Sequence, residues 1–305
     1  MNILNRNQSI DKIVDDMRIC KSSFRNIRAA KKRKVVFIIG SGLSNASAGL
    51  PLGVDMAKNL VKEFVSTEKN RQRRFKEEIS HLVSTHNLLP HDFKTVLFSL
   101  YKIFNQKIVD EVTTKLDIKS IPEIDFNIHE ILVSLLRENY SDGIINFNFD
   151  EILEHVIVKN NDHKNIARII NNKDAKSHSY TYDIRSKRFK TPIHLKPHGS
   201  ISTPSSLRFA RKDFYRIEPL VGDVLFKLLG EMPVTIVLIG FCIKNLDFTE
   251  QISNHLQLGS SIYVIDKKKN VIGPSLEKFY KGFIKIDKNN SLQMVMKNIK
   301  KKIDN

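Results

Sequence analysis

The sequence contains no tryptophan and only two cysteines, Cys20 and Cys242, in 305 residues. Two thiols cannot form a four-thiolate zinc site, and a disulfide is not expected in a reducing compartment. Long apolar runs are also missing, and none approaches the roughly 20 residues that a membrane span needs. The opening stretch MNILNRNQSIDK has no apolar segment of signal-peptide type. These absences predict a cytoplasmic protein with no membrane anchor. Acidic residues are outnumbered, 33 against 50 Lys and Arg, which leaves a net charge of +17. A positive field attracts nucleic acid, acidic lipid or small anions. The basic residues are spread along the chain, with denser runs at Lys21–Lys34, Arg71–Lys76, Lys267–Lys269 and Lys281–Lys302. Aromatic residues are not interleaved with them as stacking platforms. The runs are therefore read as solvated faces, and any nucleic-acid contact as indirect.

What is present is a hydrophobic content of 41%, enough for one large domain spanning 1–305. Apolar positions Ile10, Ile13, Val14, Met17, Phe24 and Ile27 follow helical spacing and predict a leading amphipathic helix over 8–31. Val35–Ile39 is a short continuous apolar run of the kind found in buried parallel strands. Ile144–Phe149, Ile193–Leu195, Val234–Ile239 and Ile262–Ile265 read as further strands. Residues 54–140 read as mostly helical, with breaks near Leu89–Pro90 and Ile121–Pro122, and form a helical insertion module. Helices are also expected at 150–159, 213–230 and 291–303. Short apolar strands alternating with helices predict an α/β fold, a Rossmann-like parallel sheet flanked by helices. No internal repeat or low-complexity linker interrupts it.

Chemistry-bearing residues cluster where these strands end, the place at which parallel sheets bind ligands. Gly40-Ser41-Gly42-Leu43-Ser44 follows the first strand, and its glycines let a backbone turn approach a pyrophosphate. The third glycine of the usual dinucleotide fingerprint is absent, so a plain strand-to-helix turn is the competing reading. Asn146, Asn148 and Asp150 would share one face if strand alternation continued through NFNFD, and could hold a polar ligand. The alternative role of Asn148 and Asp150 is to cap the following helix. His198, in KPHGS, could act as a general base near neutral pH or be purely structural. Gly240-Phe241-Cys242, with Asp247 downstream, and Asp266 close two further strands.

Taken in order, GSGLSNASAGLP (40–51), NFNFD (146–150), KPHGS (196–200), RKDFY (211–215), IGFCIKNLD (239–247) and VID (264–266) resemble the sirtuin family. The resemblance is closer to the bacterial sirtuin-like NADases of antiphage defence. It implies that Gly40, Ser41, Gly42 and Ser44 line the pyrophosphate and ribose of NAD+. Asn148 and Asp150 would lie beside the nicotinamide and its ribose, and His198 would be the catalytic histidine. Gly240 and Cys242 would flank the diphosphate or adenosine ribose, with Asp266 near the adenosine.

Departures from the family narrow the reaction. Deacylating sirtuins usually carry four zinc cysteines after the His-Gly, and here no cysteine occurs between Gly199 and Phe241. No acyl-lysine channel is recognisable in 202–230, and Leu52-Gly53 replaces the Phe-Arg that follows the proline in deacylases. The expectation is a NAD+ glycohydrolase that uses NAD+ as substrate and needs no metal, the effector of an abortive-infection system. The alternatives are a protein deacylase or ADP-ribosyltransferase, or a non-catalytic NAD or ADP-ribose sensor. An uncontrolled NADase would poison its own cell. A regulatory partner is therefore expected: a HerA-type ATPase, a short Argonaute or a nucleotide-sensing pyrophosphatase-like protein. Homo-oligomerisation is a further means of control.

Overall fold

The computed structural model describes residues 4–25, 32–86, 93–210, 217–241, 252–267 and 274–305. Cys242, Asp247 and RKDFY lie outside the described residues, as do the Leu89–Pro90 break and residues 26–31 of the leading segment.

Seven strands form one parallel sheet: β1 (Lys34–Ile39), β2 (Gly143–Asn146), β3 (Ala167–Ile169), β6 (Ile193–Leu195), β7 (Val234–Ile239), β8 (Ser261–Asp266) and β9 (Tyr280–Lys285). Their order is β3-β6-β2-β1-β7-β8-β9, and every pairing is parallel. A separate hairpin pairs β4 (Tyr182–Asp183) with β5 (Arg188–Phe189). The fold is thus the expected α/β architecture. The chain reverses its direction of travel across the sheet between β1 and β7, which creates a topological switch point.

The continuous apolar runs follow from burial on both faces. Val35, Phe37 and Ile39 face a core made with α1 (Arg6–Arg25), α7 (Asn127–Arg137), α8 (Ile152–Lys159) and the C-terminal helix Leu292–Asp304. Val36 and Ile38 face the opposite core, which includes α9 (Asn172–His178) and α10 (Pro219–Leu229). A third cluster gathers α3 (Gly53–Phe64), α5 (Phe93–Phe104) and α6 (Gln106–Leu116) with Phe149, Ile201 and Phe209. α4 (Lys69–His86) lies on α5 with most of its length exposed. Residues 54–140 are therefore largely helical, but α7 belongs to the main core and not to the third cluster.

Several expected elements differ. The glycine turn is mostly helix: α2 occupies Ser41–Ala48, with Gly40 as its N-cap. Gly49 ends it in the left-handed region (φ +64°), its N–H bonding to Asn45 O. β9 is not among the expected strands, whereas β3 lies in 160–190, a polar stretch whose sequence is open to short strands. β2 ends at Asn146, so the pleat does not extend through Asn148 and Asp150. No helix among the described residues is long and apolar enough to cross a membrane. Basic side chains are in part paired internally: Arg71 with Glu68, Lys300 with Glu138 and Asp304, and Lys302 with Asp11.

Candidate functional site

Gly40, Asn146, Lys196, Gly240 and Asp266 stand at or just beyond the carboxyl ends of β1, β2, β6, β7 and β8, so one edge of the sheet collects nearly every residue singled out from the sequence. The first structural fact there is a close approach of backbones. A Cβ on Gly40 would lie 2.7 Å from Gly240 O, and one on Gly42 would lie 2.8 Å from Gly240 Cα. Gly240 has φ +55°, and a Cβ there would come within 2.5 Å of Leu43 N. Gly42 N–H donates to Gly240 O at 3.0 Å. The third glycine of the dinucleotide fingerprint normally allows close helix–strand packing. Here that close packing is supplied by Gly240, far away in sequence but just past β7, the strand paired with β1. The position within the motif is held by Asn45, whose Nδ2 bonds to Leu50 O at 2.8 Å.

The second fact is a buried polar cluster. Asn148 Nδ2 donates to Ser44 Oγ at 2.9 Å, and Ser44 Oγ donates to Asp150 Oδ2 at 2.7 Å. Ser44, Asn148 and Asp150 are 2%, 8% and 4% exposed, so water does not mediate this arrangement. Asn148 and Asp150 reach Ser44 of α2 through the geometry of the loop after β2, and not by sharing a strand face. Asn146 turns instead into its own loop, with Oδ1 accepting from Asn148 N at 2.9 Å. Its Nδ2 lies 3.4 Å from His194 Nε2. Asp150 also has the capping role weighed from sequence: Oδ1 accepts from Ile152 N at 3.2 Å at the start of α8. Burial raises the Asp150 carboxyl above its ordinary value, against the pull of Lys196 and of the Ser44 hydroxyl.

His198 enters from β6 through Lys196 and Pro197. Gly199 makes the turn possible, at φ +88°, because a Cβ there would sit 2.2 Å from Ser206 O. The His198 ring meets Phe147 edge-on at 4.7 Å between centroids and Phe149 at 6.5 Å. These are the two aromatic neighbours of Asn148 in the chain, so the loop bearing Asn148 and the loop bearing His198 are packed together. Phe147 also touches Phe241, beside Gly240, at 5.0 Å. Ser41, partly exposed, starts α2. Asp266 is partly exposed at the end of β8, with Oδ1 accepting from Lys267 N at 2.6 Å.

Beneath these loops lies a charged layer that sequence reasoning missed. Lys196, fully buried, pairs with Glu154 on α8 at 2.8 Å. Burial pushes the Glu154 carboxyl up, but Lys196, His194 and Arg168 together hold it below its ordinary value. Arg168 pairs with Glu151 at 3.0 Å. His194 and His129, both buried, are each held down to about 4 by desolvation, with the Glu154 charge opposing. The available signal was a single glutamate among apolar residues in ILEHVIVK, since a carboxylate placed there must find a cation. No group of metal-ligating side chains is found among the described residues.

No family profile matches the chain, and no curated protein matches its sequence. Among solved structures, the chain is similar to a Sir2 homologue in complex with NAD, at 13% identity and a TM-score of 0.46, over 96% of this chain and 94% of that one. It is similar to a Sir2 homologue variant in complex with ADP-ribose, at 12% identity and a TM-score of 0.48, over 96% and 98%. A structure described for the mechanism and regulation of Sir2 enzymes is similar at 11% identity and a TM-score of 0.49, over 97% and 99%. These are similarities of fold between chains of very different sequence.

Proposed function

We propose that this chain is a NAD+ glycohydrolase that releases nicotinamide and ADP-ribose. The observation that carries the reading is the convergence of Ser44, Asn148 and Asp150 at the ends of β1 and β2. This cluster sits beside a glycine turn at the sheet's switch point, where α/β folds take nucleotides. The ordered motifs quoted above support the same assignment.

Nicotinamide departs readily because leaving neutralises its cationic ring, and the ribose develops oxocarbenium character, as in other glycosyl cleavages. Asn148, fixed through Ser44, orients the nicotinamide amide or the attacking water. His198 takes a proton from that water or from a ribose hydroxyl. Asp150 holds Ser44 and places negative charge behind the developing cation. Gly40, Ser41, Gly42 and Ser44 line the diphosphate and ribose, Gly240 and Cys242 flank the diphosphate or adenosine ribose, and Asp266 lies near the adenosine. NAD+ is the substrate, and no step requires a metal. Residues 1–305 act as one domain, and within 54–140 the helical insertion is the part built from α3 to α6, since α7 belongs to the main core.

In the cell the chain serves as the effector of an antiphage abortive-infection system. It is held in check by self-assembly or by a sensor subunit, of which a HerA-type ATPase, a short Argonaute or a nucleotide-sensing pyrophosphatase-like protein are the candidates. The test is chromatographic: purified chain, alone and with co-purifying protein, incubated with NAD+. Wild type should yield nicotinamide and ADP-ribose, whereas folded Asn148→Ala and His198→Ala should not. Undiminished turnover in both variants would sink the assignment.

A further inference from the structure

One buried cation connects the two loops of the candidate site. Lys196 Nζ donates to Asp150 O at 2.5 Å and to Phe149 O at 3.4 Å, both on the loop that carries Asn148. It also donates to Ser200 Oγ at 3.1 Å, on the loop that carries His198. Its charge is met by Glu154 Oε1 at 2.8 Å. An ammonium has three protons and no acceptor, so these four oxygens saturate it. Ser200 Oγ passes the connection on to Glu151 Oε1 at 2.8 Å, itself paired with Arg168. Lys196 is fully buried, so substrate does not reach it.

We propose that Lys196 is a positioning residue that sets the placement of His198 relative to Asn148. The proposal rests on the NAD-cleaving reading above. A purely stabilising ion pair makes a different prediction. Buried pairs can often be replaced by apolar residues of similar volume with little loss of stability, whereas removing one partner strands a charge. If Lys196 only stabilises, replacing both partners restores stability and activity together. If it positions the loops, the two properties separate.

The experiment compares Lys196→Met with Lys196→Met/Glu154→Leu. The single variant should melt early, and the double variant should melt near wild type. In the double variant kcat for NAD+ should fall about 100-fold, the scale of a displacement near 1 Å, while KM stays close to wild type. Ser200→Ala gives a milder arm: it cuts the connection to the His198 loop without stranding charge, and should lower kcat roughly 10-fold. Ring-labelled histidine NMR reads the same geometry without turnover, and the His198 resonances should shift in both variants. Wild-type kcat in a folded double variant overturns the proposal, as do unmoved His198 resonances in Ser200→Ala. If wild type consumes no NAD+ with or without its partner, the NADase reading fails, and the His198 resonances still decide the role of Lys196.

Discussion

Ser44→Ala tests the heart of the site with the loss of one oxygen. The hydroxyl accepts from Asn148 Nδ2 and donates to Asp150 Oδ2, at 2.9 and 2.7 Å. All three groups are nearly sealed from solvent, so water cannot replace the lost partner without opening the site. A neutral hydrogen bond contributes about 1 kcal/mol and one to a carboxylate about 1.5–3, which gives a deficit near 3 kcal/mol. Asp150 retains the Ile152 amide and the nearby Lys196 charge, so the protein should still fold. Urea unfolding should show the midpoint falling with an unchanged slope. The Ser44 bond favours the ionised carboxylate, so the deficit should be largest at neutral pH and shrink once Asp150 is protonated. Turnover should fall with it, because Asn148 loses the group that orients its amide. A stability change below roughly 0.5 kcal/mol, together with retained NAD+ turnover, would refute the account, since that is the range of an ordinary surface substitution.

Acid should destabilise the fold in a defined window. His129 and His194 are neutral when folded and held down to about 4, whereas unfolded histidine titrates near 6.5. The unfolded state therefore binds more protons below 6.5, and stability present above that pH is lost as it falls toward 4, by up to about 3 kcal/mol per residue. Melting midpoints that stay flat from pH 7.5 to 4.5 would contradict this. Gly240→Ala should prevent soluble folding or cost at least roughly 3 kcal/mol, because it adds positive-φ strain to a 2.5 Å clash with backbone. A melt close to wild type would exclude that packing. At the opposite end of the sheet, Arg188 Nη1 meets Asp142 Oδ1 at 2.6 Å, with both residues buried. Asp142→Ala should cost about 3–5 kcal/mol by stranding the guanidinium. Turnover per folded molecule should remain at wild type, which activity normalised to the folded fraction would show.

The strands buried on both faces were legible because burial leaves continuous apolar runs, as in Val35–Ile39 and Val234–Ile239. β9 was not, since as an outer strand it alternates buried Tyr280, Gly282 and Ile284 with Lys281, Phe283 and Lys285, and its two lysines and glycine break up any continuous apolar run. α2 hid inside a run of serines, alanines and glycines whose helical state is set by its two terminal glycines and its packing on β7. Asn148 and Asp150 were recognised as polar residues at a strand end, but their geometry depends on where β2 stops, which local pattern leaves open. The Lys196–Glu154 pair joins residues far apart in the chain, and nothing local to either announces the other. Cys20 proved to be a buried thiol donating to Asp142 Oδ2 at 3.3 Å.

The contact among Gly40, Gly42 and Gly240 has a consequence for how this protein can vary. A methyl group added at any of the three meets main-chain atoms first, and main chain cannot be trimmed by a second substitution. Ordinary core positions accept exchanges because a neighbour can shrink when a residue grows. These three have no such neighbour, so their permitted alphabet is a single letter and no suppressor is reachable through side chains. A library randomised at all three positions and selected for folded protein should return the parental triplet, while Ser41, partly exposed beside them, drifts freely.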